Sequence, residues 1–480
     1  MRITEKKEYE RIFEIFEEIC AIPHGSENME AISKYCVSFA NKNNLEYITD
    51  DALNVIIFKK ATKGYENVKP VILQGHLDMV CQKTADSDFD FTKDGLKLVL
   101  DGDFLKAQNT TLGGDNGIAV ALIMALLERD DLCHPAIEAV FTTDEEIGMI
   151  GATALDTTNL KGDKLINLDS EEEDVVTVSC AGGTDFTAKM PIGREKANGE
   201  RVTITLKGLL GGHSGVEIDK NRINADVLLG RLLLSLNSIC DFSVLNSSGG
   251  DKSNAIPNFA KIELVSENAQ SLISNAEKIL KEIAAEIEIA EPHFDYAIEK
   301  DKNGIFDVLD KKANEDLIFA LCNTPSGIIS MSAQILGLVE TSLNLGILQT
   351  TENEIIFKYA LRSNKSTALK FLAERMKNFY SKIDAISETS GYYPPWEYKK
   401  ESALRVIYSD VYYGKTGSLP KIEAIHAGLE CAVFADKIKD LDCIAVGPTL
   451  LDVHTVNEKL SIPSTEKLYD IIIDVLKRCK

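Results

Sequence analysis

The sequence predicts an α/β chain with a mostly parallel central sheet, interrupted by an inserted α+β unit. Three observations predict it. Short apolar runs of strand length alternate with helical stretches in the first part of the chain. The middle changes to strands that alternate apolar and polar residues, as half-exposed sheet does. The fully apolar strand pattern then returns near the C-terminus.

In chain order, residues 8–20 place Ile12, Phe13, Ile15 and Phe16 on one helical stripe. Val55–Phe58 reads as a strand, and Val71–Gly75 as a buried strand stopping at His76. Residues 117–129 are apolar on nearly all sides and read as a buried helix. Ile137–Phe141 and Lys164–Leu168 are two further strands. Next, 201–207 alternates, helices are expected over 223–239 and 268–288, and Lys261–Val265 and Glu354–Leu361 read as strands. Gly391-Tyr392-Tyr393-Pro394-Pro395 marks a boundary. Asp442–Val446 restores the buried-strand pattern, and 464–478 closes the chain as a helix capped by Ser464. The expected division is therefore 1–186 with 397–480 as one domain, and 187–396 inserted into it.

Composition sets the limits. The chain has 480 residues, enough for more than one core, with 44% hydrophobic and 26% charged residues, as in globular proteins. Its net charge is −23, from 75 acidic against 52 basic residues. That field repels phosphate backbones and anionic lipid, so neither nucleic acid nor a membrane surface is an expected partner. The stretch Met1-Arg2-Ile3-Thr4-Glu5-Lys6-Lys7-Glu8 is charged throughout, and no apolar run reaches the roughly 18 residues of a membrane span. A cytoplasmic protein is expected, with its ten scattered cysteines free.

The candidate chemistry lies at strand ends. His76 and Asp78 are two residues apart, so both side chains fall on one face of an extended chain. The pair alone also fits an ordinary strand end. Leu112-Gly113-Gly114-Asp115-Asn116-Gly117 holds one carboxylate in a glycine-rich turn before the buried helix, which a simple helix cap also explains. Thr143-Asp144-Glu145-Glu146 follows one buried strand directly, and Asp169 follows another. His454 comes after the 442–446 strand and the Gly447-Pro448 turn. In open α/β sheets, ligands bind at the C-terminal ends of the strands. Two histidines and several carboxylates converging there suit two borderline cations such as zinc, manganese or cobalt.

These motifs, with Ile22-Pro23-His24-Gly25-Ser26 and Val453–Leu460, resemble the dinuclear zinc peptidases of metallopeptidase family 20, most closely its bacterial dipeptidase branch. The likeness runs over nearly the whole chain. It implies a zinc-exopeptidase catalytic domain with an inserted lid and dimerisation domain. It implies that His76 and Asp169 hold one metal, Glu146 and His454 the other, and that Asp115 bridges them through a residue whose bond to Asn116 is cis. Glu145 is then the general base and Asp78 orients His76. In the lid, Gly211-Gly212-His213-Ser214-Gly215 matches the segment whose histidine reaches the substrate carbonyl, in many members across a dimer interface. Asn254 and Arg362 match contacts to the substrate carboxylate or oxyanion; Arg362 also fits an ordinary surface arginine. The implied activity is hydrolysis of dipeptides, Xaa-His among them, with two divalent ions, zinc first and cobalt or manganese as alternatives. An N-acyl-amino-acid deacylase or tripeptidase of the same family, or a catalytically silent metal-binding relative, remains an alternative at this point. His24, His134, His293 and His426 are not expected to be ligands.

Overall fold

A computed structural model describes residues 3–480; Met1 and Arg2, the start of the charged N-terminal stretch, lie outside the described residues. The chain forms two compact units. One comprises Met1–Cys180, Tyr398–Ala424 and Leu429–Lys480; the other comprises Ala181–Glu397 with Ile425–Gly428. The first crossing falls earlier than 186/187, because Gly182–Pro191 is already a strand of the second unit's sheet. The return crossing, at 397/398, lies one residue from the expected 396/397, just beyond Gly391-Tyr392-Tyr393-Pro394-Pro395. Gly391-Tyr392-Tyr393 itself ends the strand Ile386–Tyr393, which pairs with Gly182–Pro191.

The first unit is built on an eight-stranded sheet. In spatial order its strands are Glu46–Thr49, Val55–Lys59, Ile137–Thr142, Val71–His76, Lys164–Asn167, Asp442–Ala445, Val175–Cys180 and Lys421–Ile425. The four strands from Ile137–Thr142 to Asp442–Ala445 pair parallel. Glu46–Thr49 and Val55–Lys59 are joined by a short turn and pair antiparallel, so the sheet is mixed. The four parallel strands are mostly apolar and almost wholly buried, which fits cover on both faces. The helix Gly114–Leu127 supplies part of that cover and is buried all round except at Asp115. Against it packs Lys7–Cys20 through Ile12, Phe13, Ile15, Phe16 and Ile19. The closing helix runs Ile462–Arg478, and its cap is Ser461, not Ser464: Ser461 Oγ accepts from Ser464 N, with Pro463 in the first turn.

The second unit carries a nine-stranded antiparallel sheet. Helices Ala225–Asn237, Ala269–Ile287, Lys311–Asn323 and Ser366–Tyr380 share one core with it, among them Leu229, Leu232, Ile262, Leu280, Leu317 and Tyr359. That core contains one unbalanced group. Asp226 lies in the first turn of Ala225–Asn237, fully buried, and neither carboxyl oxygen has a hydrogen-bond partner among the described residues. Burial pushes its pKa well above the ordinary carboxylate value. The folded chain therefore holds this proton more tightly than the unfolded chain does. The contribution to stability is complete below about pH 3.9 and is lost as pH rises through the folded pKa, at up to about 1.4 kcal/mol per unit. Asp226→Asn should match the parent's thermal midpoint near pH 4 and exceed it near pH 8. Equal midpoints at both pH values would show the carboxyl to be solvated or paired.

Candidate metal centre

His76 ends the central strand Val71–His76 and is 1% exposed. Glycine precedes it for a steric reason: a Cβ on Gly75 would stand 2.5 Å from Asn116 Oδ1. That clearance lets Asn116 Oδ1 accept from His76 N (3.1 Å) while its Nδ2 donates to Leu168 O (2.9 Å). One amide side chain thus ties the His76 strand end to the Leu168–Asp169 strand end. The Asp115–Asn116 peptide itself is cis.

Asp115 stands between the two histidines. Its Oδ1 lies 3.1 Å from His76 Nε2, and its Oδ2 lies 3.2 Å from His454 Nε2. Asp169 Oδ1 is 3.5 Å from His76 Nε2, and Glu146 Oε1 is 3.1 Å from His454 Nε2. His76, Asp115 and Glu146 can offer donor atoms all within 4.8 Å of one another. The five expected ligands thus lie together, as two overlapping groups sharing Asp115. His454, at 49% side-chain exposure, marks the open side of the site.

Electrostatics fit cation binding. Hydrogen bonds to Asp115 and Glu146 push His454 up to about 11. His76 is raised despite burial, by the Asp169 charge and its carboxylate hydrogen bonds. Burial, then the Asp115 charge against the opposing His76, pushes Asp169 up to about 6. A potential that holds protons this strongly favours divalent cations in the same place. The donor set of imidazoles and carboxylates fits zinc-like ions in chemistry as well.

Asp78 does more than orient an imidazole. Its main-chain oxygen is the nearer partner of His76 Nδ1, at 3.0 Å, and its carboxylate Oδ1 stands at 3.4 Å. The carboxylate accepts from Glu145 N (2.9 Å), Glu146 N (3.2 Å) and Ser26 Oγ (2.8 Å). It therefore fixes the loop that presents Glu145 and Glu146. Burial, with the charges of Asp169, Glu430 and Glu146 against His76, pushes Glu145 well above the usual carboxylate range.

Beneath the site lies a network that apolar patterning does not announce. Glu430 is fully buried, and its Oε2 accepts from Gln74 Nε2 (2.5 Å) and Thr142 Oγ1 (2.7 Å). Gln74 Oε1 accepts from Asn167 Nδ2 (2.6 Å), and Asn167 Oδ1 accepts from Asp169 N (3.2 Å). The strands Val71–His76, Ile137–Thr142 and Lys164–Asn167 are tied together by side chains. The signal in the sequence is the polar residue inside each apolar strand, Gln74 and Asn167.

The second unit holds the other three candidates. His213 Nδ1 accepts from Gly215 N and Val216 N, both at 3.2 Å. Burial, then the Arg362 charge, lowers its pKa. The ring is therefore neutral, with its proton on Nε2 as a donor. Asn254 lies beside it in the chain fold: its carbonyl accepts from Ser214 N (2.9 Å), and its residue is exposed. Arg362 is buried; Nη1 donates to Tyr393 Oη (2.7 Å), and Nε has no partner among the described residues. His426 uses both nitrogens within this unit, on Ser342 Oγ (2.7 Å) and Asn364 Oδ1 (3.3 Å), and burial lowers it to about 3.

A family model described as Peptidase family M20/M25/M40 matches residues 72–478. The chain is 36% identical over 473 residues to the cytosol non-specific dipeptidase of Escherichia coli K12, covering 97% of each. It is similar to the crystal structure of aminoacylhistidine dipeptidase from Vibrio alginolyticus, with a TM-score of 0.90, 35% identity and 99% of each chain covered. Human carnosine dipeptidase 1, at 13% identity and a TM-score of 0.50 over 98% of this chain and 95% of its own, shares the fold.

Proposed function

This chain belongs to peptidase family M20/M25/M40, and from that premise we propose that it is a metal-dependent dipeptidase acting on Xaa-His and similar dipeptides. The observation that carries the metal reading is Asp115, with one oxygen toward His76 and the other toward His454. A carboxylate so placed would offer one oxygen to each of two cation positions. His76 and Asp169 would hold one, Glu146 and His454 the other. Two divalent ions there, zinc by preference with cobalt or manganese as substitutes, would supply Lewis acidity and a water acidic near neutral pH.

The chain's own residues do the rest. Glu145 takes the proton of the attacking water and passes it to the leaving amine. Asp78 keeps that carboxyl in register by holding the Glu145 and Glu146 amides. His213 gives its Nε2–H to the oxyanion, a role supported by the amides that occupy Nδ1. Arg362, with Asn254, receives the free C-terminal carboxylate of the substrate; a buried guanidinium with an unused N–H favours an anion. The family likeness supports a homodimer, with the second unit as lid and dimerisation domain. Likeness to a cytosolic dipeptidase supports a cytoplasmic place, and no described helix is long and apolar enough to cross a membrane.

A substrate panel tests the reading. Xaa-His and other dipeptides should be cleaved with zinc, manganese or cobalt. Their C-terminal amides should lose about 10- to 150-fold in kcat/KM, the worth of a hydrogen bond to a charged group. Faster cleavage of N-acyl-amino acids or tripeptides would replace the dipeptidase assignment.

A further inference from the structure

Glu458 is 3% exposed and lies far from Asp115 in the chain. Its carboxylate nevertheless accepts four consecutive main-chain N–H groups. Oε2 takes Leu112 N (2.7 Å) and Gly113 N (3.2 Å); Oε1 takes Gly114 N (2.8 Å) and Asp115 N (3.3 Å). These amides form a concave nest ahead of the regular turns of the buried helix, which follow the non-helical Asp115 and Asn116, with Gly113 at φ 67°. Room for the carboxylate depends on Gly114, where a Cβ would stand 3.2 Å from Glu458 Oε1 and 2.8 Å from Leu450 Cδ2.

Glu458 also sits four residues after His454. Glu458 N donates to Thr455 O (3.1 Å), and Thr455 N donates to Asp452 O (3.2 Å), so the His454 loop ends on the carboxylate's own turn. One side chain thus joins the loop of Asp115 to the loop of His454. Its charge has a second effect. Main-chain N–H groups carry partial positive charge, and these four run up to Asp115 itself. An anion on those amides cancels that potential where cations must bind.

We propose that Glu458 is a positioning residue for the bridging carboxylate, clamping the Leu112–Asp115 amides so that Asp115 meets both His76 and His454. The proposal rests on the two-metal reading. Glutamine cannot replace it, because its NH2 would face amide donors and leave two of the four without an acceptor.

The test is a competition titration of metal-free parent, Glu458→Gln and Glu458→Asp with Zn2+ and Co2+ against a chelator, alongside dipeptide kinetics and the visible Co2+ spectrum. Glu458→Gln should bind metal about 10–100-fold more weakly with an altered Co2+ spectrum, as lost outer contacts do. Excess metal should restore most of kcat with KM unchanged, and Glu458→Asp should fall between parent and Gln. If Glu458→Gln does not fold, the Asp variant decides by the same titration. Parent-like metal affinity in a folded variant, with only thermal stability lowered, would overturn the proposal. A parent that binds no metal would instead overturn the two-metal reading.

Discussion

Glu145→Gln is expected to lower kcat by about 10²- to 10⁴-fold, the usual share of a positioned acid-base group. Metal content should be unchanged, because the five proposed ligands do not include Glu145. The main chain should hold as well, since Asp78 grips the Glu145 amide and not its side chain. Glutamine keeps the size of the group and removes only its capacity to accept a proton. Steady-state kinetics and metal analysis on the same sample check both halves. Retained turnover would move the base elsewhere; lost metal would make Glu145 a ligand.

Asp115→Ala is expected to have the largest effect on metal binding. Each Asp115 oxygen serves a different histidine, so one substitution removes a donor from both cation positions. His76 with Asp169, and His454 with Glu146, would remain as two separate two-residue groups. Loss of an outer contact alone costs about 10- to 100-fold in affinity, so loss of the shared ligand should exceed about 10²-fold at both sites. Turnover should be undetectable at micromolar metal. Loss of only one metal equivalent, with the second bound at parent affinity, would show that Asp115 does not bridge.

What the sequence disclosed, and what it hid, has a physical pattern. The four parallel strands were legible because burial on both faces demands mostly apolar runs. The candidate ligands His76, Glu146, Asp169 and His454 were legible because they stand at or beyond the ends of such runs, and Asp115 because it sits in a glycine-rich turn. Asp295–Leu309 was not, since it is an edge strand whose exposed, charged residues carry no apolar signal; it pairs with Arg194–Lys207 along nearly its whole length. Ser464 looked like a cap by composition, yet the true cap is three residues earlier, where the backbone is still extended. Glu458 and Glu430 were hidden for a different reason. Both act through partners far away in sequence, Glu458 on main-chain amides 346 residues distant, and no local spacing encodes such pairs. Asp78 was half legible: its place beside His76 was apparent, but its hold on the Glu145 and Glu146 amides was not.

The most direct test of the two-metal account is a metal titration of chelator-treated protein, read simultaneously as bound metal and as hydrolysis of a Xaa-His dipeptide. Activity should be absent without metal and reach its plateau at two equivalents of zinc, cobalt or manganese per chain. Full turnover in the metal-free protein, or a plateau at one equivalent, would contradict it.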